Sequence, residues 1–271
     1  MRFARTYVPA FLSLLFAFPV FPQQAPSPTQ PLQLDPQAIT LVQQTLTTMG
    51  GAQALQLQDS VATGQAQIFK PDGTSTVLPI TKKSKGTTMV RTELQRPEGT
   101  QVRIVNNGAG AIQRANGKVL SLLPNNTVAE RVEHIPALSL LGEWGNSNME
   151  LVYVGSDSVN GHPADVVSIS YIPSAAQDSN FWRSMTRTLF YVDQATKLVS
   201  KIQYQNLAEN NTNLSDKVEV LFSDYRAVSG VLVPFQQSSY SEGQLLSRIT
   251  FTSVAFNVGL ASSDFNLPVS N

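Results

Sequence analysis

The sequence contains no cysteine, which excludes disulfide bonds, thiol catalysis and cysteine-based zinc sites. It also excludes the acylated cysteine that anchors exported bacterial lipoproteins. Charged residues make up 14% of the chain, well below the roughly 25% of an average soluble domain. The formal net charge is zero, so no basic surface favours nucleic acid, and we expect no nucleic-acid partner.

Residues typical of catalysis and metal binding are also scarce. No run matches H-E-x-x-H, G-x-S-x-G or a glycine-rich phosphate loop, and only two histidines are present. Glu130 and His134 are four residues apart, but two ligands do not make a zinc site, and a solvent-exposed helical pair is the simpler interpretation. Asp157, Asp165 and Asp193 follow strand-like runs and are interpreted as turn formers. The sequence therefore predicts no catalytic site, no metal and no cofactor.

The first 25 residues have the pattern of an export signal. Arg2 and Arg5 precede an apolar segment over residues 8–20, which two prolines interrupt and which is shorter than the roughly 20 residues of a membrane-spanning helix. Residues 26–34 are rich in proline and glutamine and predict a disordered linker. A single domain is expected over residues 35–271, in a soluble periplasmic protein without a lipid anchor.

Strand-like runs dominate that domain. Residues 186–268 read as consecutive antiparallel hairpins, because β-branched and aromatic runs alternate with Asp, Asn, Gly and Ser. Asp193 predicts an Asx turn, and Asn107–Gly108 predicts a two-residue hairpin. One helix is predicted to begin after the N-cap Asp35 and to end at Gly50. The fold class is therefore α+β, mainly antiparallel β.

Residues 124–144 interrupt the strand pattern and predict one broken helix or two short helices. Leu138, Leu141 and Trp144 recur at a spacing of three and predict an apolar stripe that faces the sheet as a lid.

Several strands carry apolar residues on both faces. A sandwich or a helix-covered sheet explains this pattern, and so does a curved sheet whose concave face lines a cavity for an apolar ligand. Residues spaced by two share a face, so one apolar wall is predicted to contain Phe190, Val220, Phe222, Ile249 and Phe251. The opposite face, with Tyr191, Leu221 and Val254, is nearly as apolar, and the sequence leaves open which of them curves inward.

Two C-terminal runs carry a family resemblance. F-Y-V-D-Q-A-T-K-L (190–198) and I-T-F-T-S-V-A-F-N-V-G-L-A-S-S-D-F-N-L-P (249–268) resemble the strand-turn-strand and the final strand of the LolA/LolB-like superfamily. D-Y-R-A-V-S-G-V-L-V-P-F (224–235) is similar to a segment of uncharacterised relatives of lipoprotein-sorting proteins. The resemblance implies an incomplete β-barrel of about eleven strands, with a small helical lid over an apolar cavity.

The functional expectation is a monomeric, non-enzymatic periplasmic carrier or binder of lipoprotein acyl chains or another apolar ligand. The ligand site would contain the lid residues and the wall residues given above. The alternative is a cell-envelope protein-interaction module whose interior is packed core and whose partner is an envelope protein. A hydrolase would need a nucleophile and a base that the sequence does not supply.

The export signal predicts a processed N-terminus. Protein recovered from a native host should begin between about Val20 and Pro28 and should appear in the soluble periplasmic fraction, which N-terminal sequencing of that fraction would establish. Recovery of an integral membrane protein that retains Met1 would contradict the prediction.

Overall fold

The computed structural model describes residues 32–208 and 211–268. Its four α-helices in this part of the chain are α1 (Pro36–Thr48), α2 (Ala52–Leu55), α3 (Pro124–Val132) and α4 (Ser179–Thr186). Three 3-10 turns span Pro136–Leu138, Leu140–Glu143 and Ser262–Phe265. The N-cap of α1 is Asp35, as predicted, and its carboxylate accepts hydrogen bonds from the amides of Gln37 and Ala38.

Thirteen strands form the rest of the described fold. They are β1 (Asp59–Phe69), β2 (Ser75–Lys85), β3 (Met89–Arg96), β4 (Gly99–Asn106), β5 (Ala109–Gln113), β6 (Val119–Ser121), β7 (Met149–Val159), β8 (His162–Tyr171), β9 (Thr188–Asp193), β10 (Val199–Ala208), β11 (Asn211–Val228), β12 (Val231–Ser241) and β13 (Gln244–Phe256).

All thirteen strands belong to one antiparallel sheet. Their order is β6-β5-β4-β3-β2-β1-β13-β12-β11-β10-β9-β8-β7, so nearly every neighbouring pair is a hairpin and the one long-range pairing joins β1 to β13. The sheet is curved but does not close, because β6 and β7 lie at opposite edges. This confirms the predicted incomplete barrel with a small helical part.

One face of the sheet holds the main core. Helix α1 packs against it through Leu41, Val42, Leu46 and Met49, and the amide of Leu232 in β12 donates to the carbonyl of Met49 at 2.9 Å. The positive φ angles of Gly50 and Gly51 let the chain turn away at that point, so the predicted end of the helix is confirmed. We call this helix-covered side the inner face.

The outer face carries two smaller apolar clusters. Val159, Ala164, Val166 and Tyr191 form one of them near the β7 edge. The other contains Val102 and Ile104, which the C-terminal segment covers with Phe265. The strands therefore carry apolar residues on both faces because helices cover the inner face and the outer face is partly covered. The described fold is not a two-sheet sandwich.

Four details differ from the sequence predictions. The sheet has thirteen strands among the described residues instead of about eleven, because short hairpins such as β5–β6 add strands. Helix α4 was not predicted, since its residues read as the end of a polar loop. Gln33 and Leu34 fall within the expected disordered linker, yet Leu34 pairs with Leu151 of β7 in a parallel bridge. The predicted signal is not one of the four differences, because residues 1–31 lie outside the described residues.

Val254 is the fourth difference. It was grouped with Tyr191 and Leu221 on the opposite face from Phe251, but it packs against the main core. A β-bulge is the reason: Gly64 of β1 pairs with Phe251 and Thr63 pairs with Ser253, so Thr252 is an extra residue that reverses the alternation.

The outer face depends on one buried carboxylate. Asp59 accepts hydrogen bonds from the amides of Val258, Gly259 and Leu260 at 2.7, 3.0 and 2.9 Å, which fixes the C-terminal segment over β3 and β4. We expect Asp59→Asn to lower the free energy of unfolding by about 2 to 3 kcal/mol, because charged hydrogen bonds are lost. Chemical denaturation would measure this, with the exposed Asp216→Asn as the control. Equal stability of the two variants would contradict the prediction.

Candidate functional site: the plugged inner face

A single segment spans the inner face from one half of the sheet to the other. It comprises residues 124–144, which form α3 and two 3-10 turns, and we call it the plug. On one side Arg103 of β4 forms an ion pair with Glu130 of α3. On the other side the side-chain amide of Asn126 donates to the carbonyl of Leu207 in β10 at 2.9 Å. It also accepts a hydrogen bond from the backbone amide of Leu207 at 3.1 Å.

These two attachments reveal how strongly the sheet curves. Strands β4 and β10 are seven positions apart in the sheet, which would be about 34 Å in a flat sheet. Helix α3 has nine residues and is about 14 Å long. One short helix reaches both strands only because the sheet bends around it, so the inner face is the concave one.

The structure brings the eight predicted ligand-site residues together on this face. Seven are buried in the main core, and Trp144 is partly buried against it: Leu138, Leu141, Trp144, Phe190, Val220, Phe222, Ile249 and Phe251. The predicted wall with Phe190 therefore lies on the concave side. In this conformation the plug fills the space in front of the wall, and the eight residues are packed core.

Polar contacts hold the plug at its centre. The ammonium of Lys82 in β2 donates to the carbonyl of Glu133 at 2.7 Å, and the hydroxyl of Tyr204 in β10 donates to the carboxylate of the same Glu133. Nε2 of His134 lies 2.9 Å from the hydroxyl of Ser60 in β1. Three strands from both halves of the sheet thus bind two consecutive plug residues.

A second set of polar contacts holds the plug at its rim. Nε of Arg131 donates to the carbonyl of Thr87 at 2.7 Å, and its Nη2 donates to the carboxylate of Glu143 at 2.5 Å. Thr87 also donates its hydroxyl proton to Glu143. The turn between β2 and β3 is therefore connected to the last turn of α3 and to the second 3-10 turn of the plug.

Burial dominates the electrostatics of this interface. It lowers the pKa of Lys82, and nearby Glu133 and Glu130 only partly oppose the effect. Burial, and then the nearby Lys82 ammonium, lower the pKa of His134 to about 3, so its imidazole is neutral at physiological pH. Burial likewise raises the pKa of Glu130 against the attraction of Arg103. The groups resist charging because water is excluded from them.

The sequence interpretation of two of these residues was wrong. Glu130 and His134 were expected to form a solvent-exposed helical pair, but His134 is 1% exposed and follows the end of α3. The importance of Lys82 and Gln237, which also lie on the inner face, was not predicted. Both are polar residues on strands, where alternation alone does not show which polar residues point inward.

Clefts flank the plug on two sides. One of ≈ 590 Å³ lies between α3, strands β4–β6 and the end of β10, and is lined by Arg103, Leu122, Glu130 and Leu207 among others. One of ≈ 520 Å³ lies between α3 and α4, where Tyr171 and Trp182 line it. Both volumes are within the range of ligand sites, about 300 to 1,000 Å³. Of the predicted wall residues, Phe222 lines a further cleft of ≈ 440 Å³.

Metal binding finds no support in the described part of the chain, where no three or more His, Asp or Glu side chains form a group that could hold an ion. Within the same residues, no helix combines the length and the apolar character that are needed to cross a membrane.

Comparison with known proteins gives a result at the level of structure only. No family model matches the sequence, and no curated protein matches it either. Among solved structures, a domain described as an outer membrane lipoprotein-sorting protein from Vibrio parahaemolyticus is similar, with a TM-score of 0.56 and 13% identity. The match covers 85% of this chain and 96% of that one.

Two further structures are similar to the same extent. A LolA superfamily protein from Nitrosomonas europaea has a TM-score of 0.55 and 10% identity, over 84% of this chain and 97% of that one. A DUF1329 family protein from Desulfovibrio piger has a TM-score of 0.54 and 13% identity, over 86% and 98%. The chain therefore has the LolA-like fold, as the sequence resemblance implied. At these identities the likeness establishes the fold alone.

The hydroxyl of Tyr204 gives a test of how the plug is held. We expect Tyr204→Phe to remove a charge-assisted hydrogen bond of about 1.5 kcal/mol and to speed amide exchange in residues 124–144 by roughly tenfold, with little change in strand amides. Hydrogen exchange read by mass spectrometry would measure this. Tyr225→Phe is the control, because Tyr225 is partly buried and its hydroxyl donates to the carbonyl of Val199 instead of to the plug. Faster exchange throughout the sheet would contradict the interpretation.

Proposed function

We propose that the protein is a non-enzymatic carrier or binder of an apolar ligand, such as a lipoprotein acyl chain, which takes the place of the plug against the concave wall. The observation that carries this proposal is that a separate segment, the plug, covers a continuous apolar wall. Buried apolar residues of the plug such as Val132, Ile135 and Leu141 pack in the same core, and polar contacts at Lys82, Tyr204 and Ser60 fix the position of the plug.

Displacement of the plug exposes apolar surface that a ligand must cover again. The plug buries six large apolar side chains, each contributing about 1.5 to 3 kcal/mol, so an acyl chain must bury a comparable apolar area: Val128, Val132, Ile135, Leu138, Leu140 and Leu141. The polar contacts of the plug exchange for hydrogen bonds to water when it moves, so each contributes a net of only about 0.5 to 1.5 kcal/mol. The flanking clefts give the segment space to move without breaking the sheet. An acyl chain could then bury the wall that the plug exposes.

The similar structures support the same proposal by their fold and by their descriptions. Proteins with this fold include one described as sorting lipoproteins. Fold alone does not determine function, so the transfer is an analogy that adds to the argument from the plug. In the same proposal the chain acts as a monomer in the periplasm after removal of its signal.

A second candidate is an envelope interaction module with a permanently packed interior. The complete burial of Leu141, Phe190 and Phe251 favours it. The two candidates differ in whether a ligand competes with the plug.

Two buried phenylalanines on opposite faces provide the test. Phe251 lies on the concave wall and Phe265 on the outer face, and both are almost completely buried. We expect Phe251→Gln and Phe265→Gln to lower stability by comparable amounts, on the scale of about 3 to 5 kcal/mol for a Phe→Ala change. Only Phe251→Gln should lower the amount of lipid that co-purifies from the native source, as measured by mass spectrometry after organic extraction.

The outcomes separate the two candidates. Loss of lipid from Phe251→Gln alone would support the carrier. If native protein carries no lipid, and lipid-free protein shows no saturable binding of fatty acids or acylated peptides, the interaction module is the correct function.

A further inference from the structure

A buried lysine lies beside the apolar wall, on β2, two positions from β13 in the sheet. Lys82 is 4% exposed, and among the described residues no carboxylate forms an ion pair with it. Its hydrogen bonds go to two neutral acceptors, the carbonyl of Glu133 at 2.7 Å and Oε1 of Gln237 at 3.3 Å. A buried charge is costly unless it is paired, so the position of Lys82 requires an explanation beyond stability.

Gln237 adds an unused donor beside this cation. An ammonium group only donates, so the amide atom of Gln237 that faces Lys82 must be the oxygen. The amide NH2 then has no partner among the described protein atoms, although the side chain is 2% exposed. When Lys82 is protonated, its third proton has no acceptor among the described residues. Donors therefore lie side by side in the interior.

A second unpartnered nitrogen belongs to the same region. His134, which is 1% exposed, directly follows Glu133, and its Nδ1 has no partner in the described part of the protein. Buried polar groups are nearly always hydrogen-bonded, so two orphan nitrogens near one unpaired cation are unusual.

These donors are placed where a ligand chain would end. Gln237 pairs across the sheet with Phe222 on one side and with Ile249 on the other, and both are wall residues. Lys82 reaches Gln237 across β1 and β13, and β1 presents the small residues Ala62 and Ala66 on the inner face there. The polar groups are thus enclosed by the surface that the proposed function assigns to the apolar ligand.

We propose that Lys82 and Gln237 bind the carboxylate of a single-chain amphiphile, whose head points inward and whose chain lies along the concave wall. Two neighbouring donors match the two oxygens of a carboxylate, and its charge pairs the buried ammonium. A phosphate head would bring more oxygens than these donors serve. The inference rests on the proposed function, because the carboxylate replaces the plug carbonyl of Glu133 on Lys82.

The test compares ligands that differ only in the head group. Isothermal titration calorimetry would measure dodecanoate, dodecanol and dodecyl phosphate binding to the lipid-free protein. Dodecanoate and dodecyl phosphate are used below their micellar concentrations, and dodecanol is used below its solubility limit. We expect dodecanoate to bind at least tenfold more tightly than dodecanol. Tighter binding of dodecyl phosphate than of dodecanoate would overturn the assignment of a carboxylate.

Lys82→Met is the decisive variant. It replaces a buried unpaired charge with an apolar chain of similar length, a change that folded proteins often tolerate. It also frees the carbonyl of Glu133, but a looser plug affects both ligands alike, so the ratio of the two affinities isolates the head group. We expect this ratio to fall to about one. Gln237→Met, which keeps the ammonium, should lower the ratio by a smaller factor.

Lys83→Met is the matched control. Lys83 is the next residue of β2, points to the outer face and pairs with Glu93 at 3.5 Å. The affinity ratio should keep its wild-type value in this variant. If dodecanol binds wild-type protein as tightly as dodecanoate, or if Lys82→Met keeps the preference, the inference is overturned while the proposed function stands. Binding of neither ligand overturns both.

Discussion

A single curved sheet must bury its concave face without a second sheet to pack against. A sandwich solves this problem with two complementary apolar surfaces. Here thirteen antiparallel strands bend until α3, a helix of nine residues, contacts both β4 and β10. The curvature of the sheet, the burial of the wall and the positions of the flanking clefts all depend on that one bridging segment.

The two covers of the concave face share apolar packing but differ in their polar contacts. Helix α1 is held by apolar packing and by a backbone hydrogen bond to β12, an arrangement that no polar ligand or solvent change replaces easily. The plug also packs apolar residues such as Val132 and Leu141 in the core, and it adds ion pairs at Arg103 and Arg131 and the buried contacts of Lys82 and Tyr204. Polar contacts of this kind are individually weak in net free energy and can be exchanged for others. The sheet thus has one cover held mainly by apolar packing and one held by apolar packing and polar contacts together.

Much of this arrangement could be predicted from the sequence. Period-two spacing placed Phe190, Val220 and Phe251 correctly on one face, because strand side chains alternate regardless of tertiary context. The same rule failed at Val254, since a bulge depends on the pairing partner and leaves no mark in the strand's own residues. Helix α4 has only eight residues and follows a polar loop, so its periodicity is too short to be recognised.

The polar centre of the site could not be predicted for a different reason. Lys82 belongs to the run K-K-S-K, which reads as a solvated strand end, and nothing in the run shows that Lys82 and Ser84 point inward while Lys83 and Lys85 point outward. Their direction follows from the register of β2 against β1, which opposes Lys82 to Ala62. Register is set by contacts between distant segments. The local pattern therefore shows which residues share a face, but not which face points inward.

A plug that occupies the wall is an intramolecular competitor of any ligand. The affinity of a carrier for its ligand is then reduced by the free energy of displacing the plug. A purely apolar chain gains little from the exchange, because it buries much the same wall that the plug already buries. The plug offers Lys82 only a backbone carbonyl, whereas an anionic head offers a full charge. In the proposed carrier, Lys82 and Gln237 therefore determine which head group is bound, and the apolar wall determines how much of the apolar chain can be buried.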